Sequence, residues 1–281
     1  MLSYRHSFHA GNFADILKHS VLIAVLDHLI KKDKPFDYID SHAGAGLFDL
    51  EDEHAQKLGE YKEGIAKLQP DQWPELAAYL NAVAACNDDS ELRYYPGSPL
   101  LAMQYLRAKD NAWLYELHPS DVDMLRNNID STRYSKRAKV HCADGLKGLL
   151  SHLPPASRRG LILIDPSYEI KSDYEQVVAA IAQAYKKFAN GIYALWYPVV
   201  DRPAINRLER SLLATGIKDI QRFELGLAPD SEGRGMTSSG MIVINPPWGL
   251  FEHMQQVLPR LAATLKTSAE AVYRCDVLAG E

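Results

Sequence analysis

Apolar residues recur at helical spacing near the start of the chain, where Ile16, Leu17, Val21, Leu22, Val25, Leu26 and Leu29 mark a stripe. Asn12 or Asp15 can cap this helix. Lys31, Lys32 and Lys34 end it with the charge that suits a helix C-terminus, and Pro35 forbids its continuation. Phe36 to Asp40 reads as a short strand that runs straight into Ser41-His42-Ala43-Gly44-Ala45-Gly46. From about Leu50 to Asp110 the pattern is helical, in stretches such as HAQKLGEYKEGIAKL and PELAAYLNAVAAC, with no long strand. Beyond it, short strands alternate with helical or loop segments: Ala112 to Glu116, Ala138 to Cys142, Gly160 to Ile164, Ile192 to Tyr197, Ile220 to Leu225, and last Gly240 to Ile244. That alternation predicts an α/β fold with a mainly parallel sheet covered by helices. Gly160 to Ile164 is apolar throughout, as a strand buried on both faces should be. There is no internal repeat, low-complexity tract or flexible linker. Residues 1–281 therefore read as one domain with a helical insertion over about residues 50–110.

Composition narrows the classes. With 47% hydrophobic and 24% charged residues, disorder and fibrous repeats are excluded. Lys and Arg total 31 against 36 Asp and Glu, a net charge of −5, which excludes a uniformly basic nucleic-acid binder but not a local basic face. Cys86, Cys142 and Cys275 are far apart and form no CxxC pair, so neither a disulfide framework nor a zinc site is expected. His6 and His9 could share a helical face, but no third ligand is placed near them, so no metal is expected. The opening MLSYRHSFHAGNFAD lacks the apolar core of a signal peptide. The densest apolar runs fall short of the roughly 18 residues of a membrane helix. A cytoplasmic protein without a membrane partner is expected.

In open α/β sheets ligands bind at the carboxyl ends of the parallel strands, so the residues just after each strand carry the candidate chemistry. After the first comes the glycine loop His42 to Gly46, which lacks the third glycine of a dinucleotide fingerprint and the Lys-Ser/Thr of a P-loop. After the second sits Glu116, after the third Asp144-Gly145, and after the fourth Asp165-Pro166-Ser167-Tyr168. Each alone reads as an ordinary loop. Together they describe a nucleoside site, because an acid after the second strand can hold ribose hydroxyls and a polar residue after the third can meet an adenine edge. An adenosine cofactor without a pyrophosphate points to S-adenosylmethionine.

Asp165-Pro166-Ser167-Tyr168 resembles the D-P-P-Y motif of amino-methyltransferases, which methylate the exocyclic amine of adenine or cytosine. That amine is a poor nucleophile until a carboxylate and a backbone carbonyl accept its hydrogens. The aromatic residue stacks on the extruded base. Ser167 departs from the motif. The carbonyl required is that of Pro166, so the chemistry is expected to survive with a less rigid loop. A second string, Asn245-Pro246-Pro247-Trp248, fits the loose pattern better. It follows the last strand, which is antiparallel in this fold and so ends at the sheet edge away from the cofactor.

Further strings resemble one bacterial family, the 23S ribosomal RNA adenine-N6 methyltransferase J family, earlier linked to use of external DNA. They include Tyr4-Arg5-His6-Ser7-Phe8-His9-Ala10-Gly11-Asn12, Lys18-His19, His42 to Gly46, Tyr94 to Pro99, Glu116-Leu117-His118-Pro119, Arg158-Arg159-Gly160 and Ile192 to Pro198. The resemblance implies a Rossmann-like class I methyltransferase fold with a seven-stranded, mainly parallel sheet. It implies that His19, His42, Ser98, Glu116, Asp144 and Gly145 line the S-adenosylmethionine site, joined by Lys18, Gly44 and Asp165. It makes Asp165 catalytic with Pro166 and Tyr168, and brings Tyr4 to the substrate, with Arg5 and His6 beside it. The implied partner is 23S ribosomal RNA, bound by a monomer. Two rivals are a DNA adenine methyltransferase and a non-catalytic nucleic-acid-binding protein.

Plainer roles stand beside these. Lys18 and His19 can be a solvated helix start, and Ser98 before Pro99 a helix cap. Tyr94-Tyr95 and Trp196-Tyr197 suit core or wall better than a stacking platform. Lys136 with Arg137 and Lys139, Arg158-Arg159 and Lys186-Lys187 read as solvated charge. For RNA phosphates the preferred group is Arg5, Lys18 and Lys31 to Lys34.

Overall fold

The computed structural model describes residues 5–88, 91–230 and 235–281. In chain order the elements are α1 (Phe13–Ile30), β1 (Asp37–Asp40), β2 (Leu47–Asp49), α2 (Glu53–Leu58), α3 (Glu60–Glu63), α4 (Ala77–Ala84), β3 (Tyr94–Pro96), α5 (Ser98–Tyr105) and β4 (Asn111–Glu116). Then follow α6 (Pro119–Asp130), β5 (Ala138–Cys142), α7 (Gly145–Gly148), β6 (Gly160–Ile164), α8 (Asp173–Lys187), β7 (Ile192–Val199), α9 (Arg202–Leu213), β8 (Ile220–Gly226), β9 (Ser238–Ile244), α10 (Leu250–Leu265) and β10 (Val272–Ala279).

The main sheet has the order β10-β8-β9-β7-β6-β1-β4-β5. β5, β4, β1, β6 and β7 are mutually parallel, and β9 runs antiparallel to both β7 and β8. The sheet thus has eight strands among the described residues, one more than expected. The addition is β10, antiparallel to β8 at the sheet edge. An edge strand has one unpaired side, and VYRCDVLA mixes polar and apolar residues without a buried run, so periodicity could not mark it.

Period-two alternation sorts the strands onto two cores. Leu161 and Leu163 of β6 pack with α1, α5, α6 and α10, whereas Ile162 and Ile164 pack with α8 and α9 on the other face. α1 is buried along most of its length against β6 to β9, α5 and α10, so the apolar stripe is one part of a helix enclosed almost all round. Its cap is Asn12, whose side chain accepts from the amides of Ala14 and Asp15. The segment from 50 to 110 is mainly helical and also contains the short strand β3, which pairs antiparallel with β2 just before the segment. Its last helix, α5, lies back on α1, β1 and α6.

Candidate active site

The carboxyl ends of β1, β4, β5 and β6 open into one cavity of about 1680 Å³. The sequence builds this edge from residues that tolerate close approach. A Cβ on Gly145 would lie 2.0 Å from the Ser41 carbonyl oxygen, so only glycine lets the turn after β5 pass the loop after β1. Gly44 and Gly46 both have positive φ, which suits glycine, at 60° and 83°. Glu116 fastens that loop from the neighbouring strand: Gly44 N donates to its Oε2 at 2.9 Å and His118 N to its Oε1 at 2.7 Å. Asp144 accepts from Lys147 N at 3.3 Å and caps α7.

Two further wall residues rest on buried polar supports. Asp40, at the end of β1, accepts from Tyr38 Oη at 2.6 Å, Ser98 Oγ at 2.7 Å and His42 N at 3.2 Å. Burial raises its carboxyl to about 6, against the pull of the Tyr38 and Ser98 hydrogen bonds. Ser98 is therefore not the helix cap. Gly97 holds that position, and the Ser98 hydroxyl, one residue inside α5, is turned to Asp40. His19 is fully buried, with Nδ1 on Tyr95 Oη at 2.6 Å and Tyr79 Oη behind it at 2.8 Å. Its Nε2 is buried without a partner among the described residues, and burial pushes the imidazole down to about 3, so it is neutral. His42 bonds Ser41 Oγ at 2.7 Å, and burial lowers it to about 4.

The N-terminal end of α1 carries charge into the apolar interior. Lys18 Nζ lies 2.6 Å from Asp165 Oδ2 and 2.9 Å from Asp15 Oδ1. Burial works against the ammonium, but the two carboxylates outweigh it and raise its pKa. Burial also opposes charge on Asp15, yet His6, with Nε2 2.9 Å from Asp15 Oδ2, and Lys18 hold it well below the usual carboxylate range. Asp165 is raised by burial, with Lys18 drawing it back down. Removing one member of such a buried set costs about 3–5 kcal/mol, because the others lose their counter-charge. Oδ2 of Asp165 is thus taken, leaving Oδ1 for a ligand. Beside it, Tyr168 has φ 53°, donates its hydroxyl to the Trp196 carbonyl at 2.7 Å, and packs its ring 4.5 Å from that of Tyr174.

The cavity wall brings together Lys18, His19, His42, Gly44, Ser98, Glu116, Asp144, Gly145, Asp165, Pro166 and Tyr168, with His6 at the rim. Tyr4 lies outside the described residues. Arg5 is not on the wall; it bonds Ser120 Oγ at 3.1 Å and Asp121 Oδ1 at 2.7 Å. The phosphate group expected at Arg5, Lys18 and Lys31 to Lys34 is not assembled. Lys18 is buried and paired, and Lys31 to Lys34 follow the C-terminal end of α1, about 27 Å of helix from its start. Tyr95 and Tyr197 are buried and Trp196 lines the cavity, as core and wall. Asn245 lies at the opposite sheet edge, where its Nδ2 donates to the carbonyls of Ala189 and Gly191 just before β7, at 2.7 Å each.

Sequence reasoning missed Asp40 altogether and took Asp15 only as a cap. A signal for Asp15 existed: Asp15, Lys18, His19 and Ser20 cluster at one end of an otherwise apolar helix.

Comparison with known proteins identifies the family. A family model described as "Ribosomal RNA large subunit methyltransferase D, RlmJ" matches residues 33–276. The chain is 57% identical over 267 residues to ribosomal RNA large subunit methyltransferase J of Escherichia coli K12, covering 94% of each chain. It is 51% identical over 268 residues to the protein of that name from Haemophilus influenzae, again covering 94% of each. A crystal structure of a Legionella pneumophila protein, 38% identical, superposes with a TM-score of 0.87 over 96% of this chain and 98% of that one. The chain belongs to the ribosomal RNA large subunit methyltransferase J family and is a methyltransferase.

Proposed function

We propose that the protein transfers a methyl group from S-adenosylmethionine to N6 of an adenine in 23S ribosomal RNA. The observation that carries this reading is Asp165: it ends a central parallel strand, lines the cavity, and has one carboxylate oxygen held by Lys18 while the other is left for the target amine.

The wall fits the cofactor. The orphaned Nε2 of buried His19 needs a partner in the cavity. Glu116 after β4 and Asp144 after β5 offer acceptors at the ribose and adenine positions. Asp15 and Asp165 on the wall, with Lys18 between them, put two carboxylates where a sulfonium would be held. We assign Lys18, His19, His42, Gly44, Ser98, Glu116, Asp144, Gly145 and Asp165 to this site, with Lys18 acting by holding Asp165. S-adenosylmethionine, when bound, supplies an activated methyl group on sulfur.

The protein's own residues then do the rest. Asp165 Oδ1 and the Pro166 carbonyl accept the two amine hydrogens, which localises the nitrogen lone pair for in-line attack. Lys18 fixes the carboxylate while it does so. Tyr168, tied to Trp196 and Tyr174, presents a ring to the adenine. We also assign Tyr4, Arg5 and His6 to substrate binding; His6 is at the cavity rim, and Arg5 would have to leave Ser120 and Asp121 to reach it. Residues 1–281 act as one domain carrying a helical insertion over about 50–110, of which Leu58, Gly59, Glu60 and Glu63 reach the cavity rim. The enzyme acts in the cytoplasm, as a monomer and without a metal. No helix among the described residues is long and apolar enough to cross a membrane.

The test is tritiated methyl transfer to protein-free 23S RNA, to ribosomal subunits and to DNA, with the product nucleoside identified. N6-methyladenosine formed in 23S RNA, free or in particles, is expected. Labelling of DNA alone would replace the reading with the DNA rival, and absence of both binding and transfer would leave the non-catalytic one.

A further inference from the structure

The cavity, at about 1680 Å³, is larger than the 300–1,000 Å³ typical of small-molecule pockets. The proposed cofactor residues occupy the wall built by β1, β4 and β5. A further part of the wall lies beyond Asp165, on residues 169–176 and on α9.

That part is unusual in two ways. Ile170 and Val200 stand at the cavity mouth with 59% and 52% of their surface exposed, although each adjoins a buried strand or motif turn. Lys171, Arg207 and Arg210 are exposed on the same wall. Arg207 has an ion pair to Asp201 at 3.7 Å between two side chains more than half exposed, a contact worth little. The side chains of Lys171 and Arg210 make no hydrogen bond or ion pair among the described residues. Arg207 and Arg210 are three apart on α9 and so share a face, with Ser211 beside them. The acids of this wall, Glu169, Asp173, Glu175 and Asp201, lie in the motif loop and the first turns of α8 and α9, before the two arginines. The start of α8 is thus acidic, whereas the exposed cations Arg207 and Arg210 lie further along α9.

We propose that this wall is the bed for the RNA strand flanking the target adenine. Ile170 and Val200 pack against the neighbouring bases, and Lys171, Arg207 and Arg210 neutralise their phosphates. The inference rests on the reading of RNA as substrate. Its physical basis is that presenting an adenine amine to Asp165 takes the base out of its stack and uncovers the faces of its neighbours. An apolar lip covers those faces, and cations beyond it meet the backbone.

The test compares two double variants with the same change in net charge, Arg207→Gln/Arg210→Gln and Lys31→Gln/Lys32→Gln, the latter at the far end of α1. Methyl transfer to 23S RNA is measured over a range of salt concentrations. The arginine pair should raise KM for RNA at least tenfold, make the log–log salt slope shallower by about 1.4, and leave S-adenosylmethionine affinity unchanged. The lysine pair should change none of these. Ile170→Ser/Val200→Ser should raise KM without altering the salt slope. Thermal unfolding of each variant verifies that it is folded. Equal effects of the two charge pairs, or no effect of the arginine pair on an active parent background, would overturn the bed while leaving the function standing. A parent that transfers no methyl to RNA would overturn both.

Discussion

Two turns of this chain fit one loose pattern that ends in an aromatic residue, Asp165-Pro166-Ser167-Tyr168 and Asn245-Pro246-Pro247-Trp248, and the sheet puts them to opposite uses. Each follows an apolar strand, and each contains a residue of positive φ, Tyr168 at 53° and Asn245 at 51°. The first ends a parallel strand, so its acid faces the cavity and Lys18. The second ends β9, which runs the other way, so its amide is spent on the carbonyls of Ala189 and Gly191. Trp248 stands 94% exposed beside a small cavity of about 200 Å³, whereas Tyr168 lines the large one and is tied down by Trp196 and Tyr174. A short motif therefore carries chemistry only where strand direction delivers it to the ligand edge.

The largest effect expected from this contrast is on turnover. Asp165→Ala should lower methyl transfer by about 10²–10⁴, the range for losing a positioned proton acceptor, a larger effect than on S-adenosylmethionine affinity. Asn245→Ala should leave turnover within twofold, since its bonds support only the far edge. Single-turnover transfer and calorimetry on both variants make the comparison. Turnover of Asp165→Ala within tenfold of the parent, with Asn245→Ala crippled, would exchange the roles of the two turns.

A smaller effect is expected on the cofactor. Glu116→Ala should weaken S-adenosylmethionine by roughly 1.5–3 kcal/mol, the value of a lost charge-assisted bond. Two consequences combine in that loss, because Glu116 also fastens Gly44 N and His118 N. Unchanged affinity by calorimetry would mean that the carboxylate only holds the loop.

How much of this was legible follows from what kind of force fixes each part. The α/β alternation, the central apolar strand Gly160–Ile164 and the acids after β4, β5 and β6 were readable because they obey local periodicity and topology. The resemblance named the family, and the comparisons agree. β10 was not readable, since a half-exposed edge strand has no apolar signature. Asp40 was not readable either, because its partners Tyr38, Ser98 and His42 come together only in three dimensions. The basic stretch Lys31 to Lys34 misled because charge along a sequence does not say which end of a helix meets the ligand.

Acid titration separates the ligand edge from the far edge again. His19 is held neutral by burial, with its pKa pushed down to about 3 from about 6.5 in the unfolded chain. A lowered histidine stabilises fully above the unfolded value, and that stability is lost as the pH falls from about 6.5 towards 3. Between pH 6.5 and 5 the His19 contribution should fall by about 1.6 kcal/mol. Urea unfolding at the two pH values should show a loss smaller by about that amount in His19→Gln than in the parent, with the titration of Asp40 and His42 common to both. Identical losses would mean that His19 becomes protonated without leaving the folded state.

The smallest effect tests the third position of the two turns, Ser167 against Pro247. Proline fixes φ and holds the preceding residue extended, so Ser167→Pro would keep the Pro166 carbonyl aimed into the cavity. The amide of Ser167 donates to no group among the described residues, so the substitution removes no internal hydrogen bond. The gain comes from the unfolded chain, which has fewer conformations to lose, and is about 0.4–1 kcal/mol where the native backbone accepts the ring. Ser167→Pro should therefore raise the urea midpoint slightly and leave kcat/KM within about threefold. Pro247→Ser should lower stability by a similar amount and leave catalysis untouched. A tenfold or greater loss of kcat/KM in Ser167→Pro, with the fold intact, would show that the serine contributes its own hydroxyl or amide to the reaction. The ligand-edge turn would then differ from its far-edge counterpart in chemistry as well as in placement.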